Sequence, residues 1–94
     1  MKGAKVKAKV SMWLIDKGYK VDVFNQFFKI VGGSLKVKVF LDIHNVEIQI
    51  CDGIFVIAKN TIQYRNLGTF FTSPEESIES EIRQLAIGAL VDSL

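Results

Sequence analysis

With one cysteine, Cys51, the chain cannot close an internal disulfide, which excludes the stapled scaffolds of small secreted proteins. It holds one proline, Pro74, and no low-complexity run, so neither a proline-rich linker nor a disordered tract is expected. Long hydrophobic runs are missing as well, because Asp42, Glu47, Asp52 and Lys59 interrupt the longest candidate for a membrane span. The first residues carry lysines without an apolar segment and small-residue cleavage site behind them, so no secretory signal is read. Together these absences lead to the expectation of an intracellular, cytoplasmic protein without a membrane partner.

Chemistry is equally thin. His44 is the only imidazole, and no cysteine or histidine spacing suits a metal. There is no Gly-x-Ser-x-Gly, no phosphate loop, and no convincing set of acid, base and nucleophile. Catalysis and a cofactor are therefore not expected.

What is present is hydrophobic and aromatic: 49% of residues are hydrophobic, and seven Phe, two Tyr and one Trp leave ample material for one core. Ninety-four residues make a single domain, 1–94. The net charge of +2 conceals an asymmetry. Residues 1–38 hold nine lysines against Asp16 and Asp22, a balance of +7, whereas residues 39–94 balance at −5.

The chain is organised around residues 35–58. Leu35, Val37, Val39, Leu41 and Ile43 fall on odd positions while Lys36, Lys38 and Asp42 take even ones, the period of a half-buried strand. Past Ile43 the apolar set moves to Val46, Ile48 and Ile50, so the chain must turn or bulge near His44-Asn45. Asp52-Gly53 is a strong hairpin signal leading into Ile54 through Ala58, apolar at every position and hence the candidate for a strand covered on both faces. Lys59-Asn60 reads as a further turn, residues 61–64 as a strand and 67–72 as a short extension.

Upstream, residues 1–18 predict a helix with Val6, Val10, Trp13 and Leu14 on one stripe and Gly18 as its stop. Residues 19–31 are strand-like, with a parity slip at Asn25-Gln26 that marks a hairpin or a bulge, and Gly32-Gly33-Ser34 turns into the centre. Downstream, Ser73 as N-cap, Pro74 at the first helical position and Glu76 closing a capping box predict a second helix. Its stripe is Ile78, Ile82, Leu85, Ala86, Ala89 and Leu90. The fold class is α+β: an N-terminal helix, an antiparallel meander of about four to six strands, and a C-terminal helix packed on one face of the sheet.

Five readings of function follow from particular residues. Asp42, His44 and Glu47 surround the first turn of the sheet. A two-residue loop at His44-Asn45 would set the two carboxylates opposite each other, where a cation would relieve their repulsion; a loop from Asp42 to Asn45 would instead put Glu47 across from Phe40. Solvated polar residues at a turn would look the same. Asp42 with Glu47-Ile48-Gln49 also resembles the PD-(D/E)xK arrangement of metal-dependent nucleases, with Gln49 where that pattern has its lysine, which removes the specific element. Cys51 and His44 form a conceivable nucleophile and base, but a turn at residues 44 and 45 sets Cys51 opposite Lys36 or Lys38, far from the histidine.

Nucleic-acid binding, DNA or RNA, is the main alternative to a purely structural role. Lys5, Lys7, Lys9 and Lys17, with Lys2 and Lys20, and Lys36 and Lys38 on a strand could neutralise phosphates, and Phe40, Phe27 or Tyr19 could stack on bases. Only two arginines and no recognisable binding motif weigh against it. Self-association is the leading expectation. Ten aromatics, a last helix ending in Ala89, Leu90, Val91 and Leu94, and a sheet with two edges leave more apolar surface than a small monomer readily hides. A homodimer acting as an interaction or structural protein follows.

Overall fold

The structure is a computed structural model that describes residues 2–23, 26–67 and 73–92. It is the expected α+β arrangement, with α1 at Lys2–Asp16, strands β1 Lys20–Val21, β2 Phe27–Gly32, β3 Leu35–Leu41, β4 Asn45–Asp52 and β5 Phe55–Gln63, a 3-10 turn at Tyr64–Asn66, and α2 at Pro74–Asp92. The strands form one antiparallel sheet in chain order, β1-β2-β3-β4-β5. Each is joined to the next by a short connection, as a meander requires.

Both helices begin or end where their side chains dictate. At the end of α1 the Tyr19 amide donates to the Leu14 carbonyl and the Gly18 amide to Ile15, both at 3.0 Å, with Gly18 at φ 91°. This is the Schellman ending, and glycine supplies its left-handed residue without steric cost. The Lys29 ammonium adds a cation there, donating to the Lys17 carbonyl at 2.8 Å and lying 5.7 Å from the Tyr19 ring centre. At the start of α2 the Glu76 amide donates to the Ser73 hydroxyl oxygen at 3.2 Å, and Glu75 and Glu76 sit in the first turn.

Register sorts the sheet into an inner and an outer face. Phe27, Val39, Ile48 and Asn60 form one inner row; Val37, Ile50 and Ala58 form the next, and Leu41, Val46 and Ile62 a third. Val10 and Leu14 of α1 and Ile78 and Ala89 of α2 join these residues in one buried cluster, so both helices lie on the inner face. Burying side chains such as Ile48 and Ile50, nearly absent from the surface, stabilises the fold by about 2–3 kcal/mol each. Leu90 ends the expected α2 stripe but is exposed.

The β1–β2 connection is a hairpin, closed by the Asp22 amide on the Gln26 carbonyl and the Gln26 amide on the Asp22 carboxylate, both at 3.0 Å. Two expectations fail at β5. Residues 54–58 are not covered on both faces: β5 is the edge of the sheet, and Ile54, Phe55, Val56 and Ile57 are all exposed. A run apolar at every position resembles a doubly buried strand, but burial depends on neighbours, and β5 has a strand on one side only. Nor is Lys59-Asn60 a turn. Ile50 pairs with Ala58 and Cys51 with Val56, so Ile57 is a bulge that resets the parity and lets the strand run on through Gln63. Asn60 faces inward and donates to Glu81 of α2 at 2.9 Å. The proposed extension beyond Leu67, the Lys2 side chain and Leu94 lie outside the described residues.

Candidate functional site

The turn between β3 and β4 takes the longer of its two possible forms. Phe40 pairs with Glu47 and Leu41 with Val46, and the Asp42 amide donates to the Asn45 carbonyl at 2.9 Å. Asp42 and Glu47 therefore do not oppose each other. The Asp42 carboxylate accepts the Ile43 amide at 2.5 Å, while Glu47 accepts from the Gln49 side-chain amide at 2.8 Å and the Thr61 hydroxyl at 3.4 Å. His44 is exposed, and its carbonyl takes the Tyr64 amide at 2.9 Å. Among the described residues no group of three or more His, Cys, Asp or Glu is placed to hold a metal ion, so Asp42, His44 and Glu47 are not brought together as one.

Cys51 is buried near the far end of β4, opposite Lys36, with its Sγ 3.9 Å from the Gln49 side-chain Oε1. Seven residues of extended chain separate it from His44, roughly 20 Å, so the two make no nucleophile and base. Tyr64 is buried at this end of the molecule. Burial, then the negative charge of Asp42, pushes its phenol up to about 12.

The lysines divide between two surfaces. Lys5, Lys7, Lys9 and Lys17 belong to α1 and its end, in the helix layer, where Lys9 lies 3.6 Å from Glu75 of α2 and Lys17 stands 6.0 Å from the Trp13 ring. Lys36 and Lys38 point to the outer face of the sheet. There the register assembles a row reading Lys20, Phe28, Lys38, Gln49, Lys59 across all five strands, flanked by Ile30, Lys36, Cys51, Val56 on one side and Phe40, Glu47, Thr61 on the other. Four lysines face one carboxylate within these rows. Of the aromatics considered for stacking, Phe40 is on this face, whereas Phe27 is buried in the core and Tyr19 sits half-buried against Lys29. Phe28 was missed, although its parity opposite to Phe27 carries the signal.

Exposed apolar residues occur on both helices, in β1 and at Ile43 beside His44, and six of them gather at the end of the sheet opposite His44. Ile30 and Val31 close β2, and Ile54 through Ile57 form the β4–β5 turn and the start of β5, with Ile54 91% and Phe55 68% exposed. The two turns that present them are joined: the Gly53 amide donates to the Ser34 carbonyl at 3.1 Å, and the Ser34 hydroxyl donates to the Asp52 carboxylate. No helix among the described residues is long and apolar enough to cross a membrane. No protein-family model matches the chain, and no curated protein or solved structure shows significant similarity to it.

Proposed function

We propose that this chain is a non-catalytic interaction or structural domain that self-associates, two copies meeting through the end of the sheet that carries Ile30, Val31 and Ile54 to Ile57. The observation that carries the reading is the exposure of these six residues at one end of the sheet, which together leave more apolar surface in water than a monomer ordinarily does. A fully exposed side chain of this size offers on the order of 200 Å². At their individual exposures the six supply roughly 700 Å² per copy, or about 1,400 Å² for a two-fold pair, within the range of a specific interface.

The contact is made by side chains rather than by extending the ladder from β5 to β5. The bulge at Ile57 twists the edge, and a full-length two-fold pairing of Phe55–Gln63 would centre on Lys59 and set it against its own copy. Bonds between the two turns hold the apolar cluster in place, which lowers the entropy lost on docking. The test is the double substitution Ile54→Ser with Phe55→Ser, both side chains being outside the core. Light scattering should show a dimer mass for the parent and the 10.6 kDa monomer for the variant, with unchanged circular dichroism. A parent that is monomeric at every concentration refutes the reading.

Nucleic-acid binding is a second reading, favoured by a separate observation: the lysine surplus of the first half is partly matched by acids in the helix layer, as at Lys9 and Glu75, whereas the paired rows of the outer face carry four lysines to one carboxylate.

A further inference from the structure

We infer that the outer face of the sheet is a platform for single-stranded nucleic acid, on which Phe28 and Phe40 stack bases and Lys20, Lys36, Lys38 and Lys59 neutralise phosphates. The inference rests on the nucleic-acid reading and narrows it to one face, one set of residues and one form of ligand.

Three observations converge. The first is the placement of aromatic rings. Phe28 lies directly across from Lys38, and Phe40 is two residues along the same strand as Lys38, so the rings are diagonal neighbours on adjacent strands, about 7–8 Å apart at their bases. A sheet that offers aromatics from neighbouring strands can stack successive unpaired bases, and any base has a face to offer. Both rings are half-buried, on the face that the two helices leave uncovered.

The second is charge. The lysines come from β1, β3 and β5 and bracket the two rings, and the one carboxylate within these rows, Glu47, already accepts from Gln49 and Thr61. The third is that the Lys36 ammonium stands 5.8 Å from the Phe28 ring centre. The ring thus already meets a cation of the protein itself. A base that takes the ring displaces the ammonium toward its own phosphate, so the lysine exchanges one partner for another. Duplexes are disfavoured because their bases are already stacked and paired and cannot reach the rings.

The experiment is fluorescence anisotropy with labelled oligouridylate, oligothymidylate and a mixed-sequence duplex of equal length. Four neutralised phosphates on a single strand give a log–log salt slope near −3, so raising salt from 50 to 200 mM should weaken binding roughly 50-fold. Phe28→Leu with Phe40→Leu keeps apolar volume and removes the π faces, and should weaken single-strand binding tenfold or more with the salt slope unchanged. Lys36→Gln with Lys38→Gln should weaken it and shrink the slope by about half. Lys5→Gln with Lys9→Gln, on the helix layer, should change little. Binding that follows Lys5 and Lys9, ignores the phenylalanines or is as tight for the duplex overturns the platform while leaving nucleic-acid binding standing. Failure to bind any of the three at low salt overturns both.

Discussion

Tyr64→Phe separates a buried group that helps the fold from one that burdens it. Tyr64 follows directly on β5, is 7% exposed, and its hydroxyl is buried with no hydrogen-bond partner among the described residues. Its ring packs in the main cluster, and its backbone amide, which the substitution keeps, holds the His44 carbonyl. An unpaired buried polar group costs about 1–3 kcal/mol, and deleting one oxygen sacrifices some packing in return. The variant should therefore be as stable as the parent at pH 7, or more stable by about 1–2 kcal/mol. With an m-value of about 1 kcal/mol/M for a domain of this size, the urea midpoint rises by up to roughly 1–2 M.

Alkaline pH supplies a second readout. The folded state holds the phenol neutral up to about 12, through burial and then the Asp42 charge, while the unfolded chain ionises near 10. Stability from this group is thus complete below pH 10 and is lost as pH rises from 10 toward 12. The loss is about 1–2 kcal/mol after discounting for solvent screening. In Tyr64→Phe that part of the decline disappears, whereas Tyr19, raised to about 12 by burial and then by Glu79, still contributes its own. Urea titrations at pH 7 and pH 11, with tyrosinate absorbance as a second probe, measure both effects. A variant less stable by more than about 1 kcal/mol at pH 7 would mean that the hydroxyl has a structural partner, and the reasoning would fail.

Other substitutions test the architecture. Gly18→Ala forces an L side chain into φ 91° with nothing within 4 Å of the new Cβ, so the cost is backbone strain alone, about 1 kcal/mol, read as a melting temperature about 4–8 °C lower. A wild-type melting temperature in that variant would mean that α1 does not end in a left-handed residue. Ile48→Ala, at a fully buried position between Val39 and Asn60, should cost about 2–5 kcal/mol in urea unfolding, against under 1 kcal/mol expected for a solvated site.

The elements with chemical punctuation were legible in the sequence. Ser73, Pro74 and Glu76 start α2, Gly18 ends α1, and Gly32-Gly33 and Asp52-Gly53 turn the meander, because each residue meets a local backbone demand that needs no distant partner. Residues 54–58 were not legible. Periodicity assigns faces within a strand, and what covers them is set by distant elements; here both helices lie on one face of the sheet and β5 is its edge. Ile57 compounded the difficulty, since a bulge changes parity without a turn and made Lys59-Asn60 look like a break. The charge asymmetry of the first half was legible, but sequence proximity does not show that the sheet lies between α1 and Lys36 and Lys38. For the acidic turn, the alternation of residues 35–50 allowed two registers, and the hydrogen bond between Asp42 and Asn45 belongs to the one that parts Asp42 from Glu47.

The most direct measurement of the central claim is sedimentation equilibrium of the unmodified chain over a wide range of concentration. Self-association through the end of the sheet predicts a mass that rises to a plateau at twice 10.6 kDa, with a two-species fit that leaves no trend toward larger assemblies. A mass that stays at 10.6 kDa up to the highest concentration would contradict it, and Ile54 to Ile57 would then be apolar surface without a second copy to cover it.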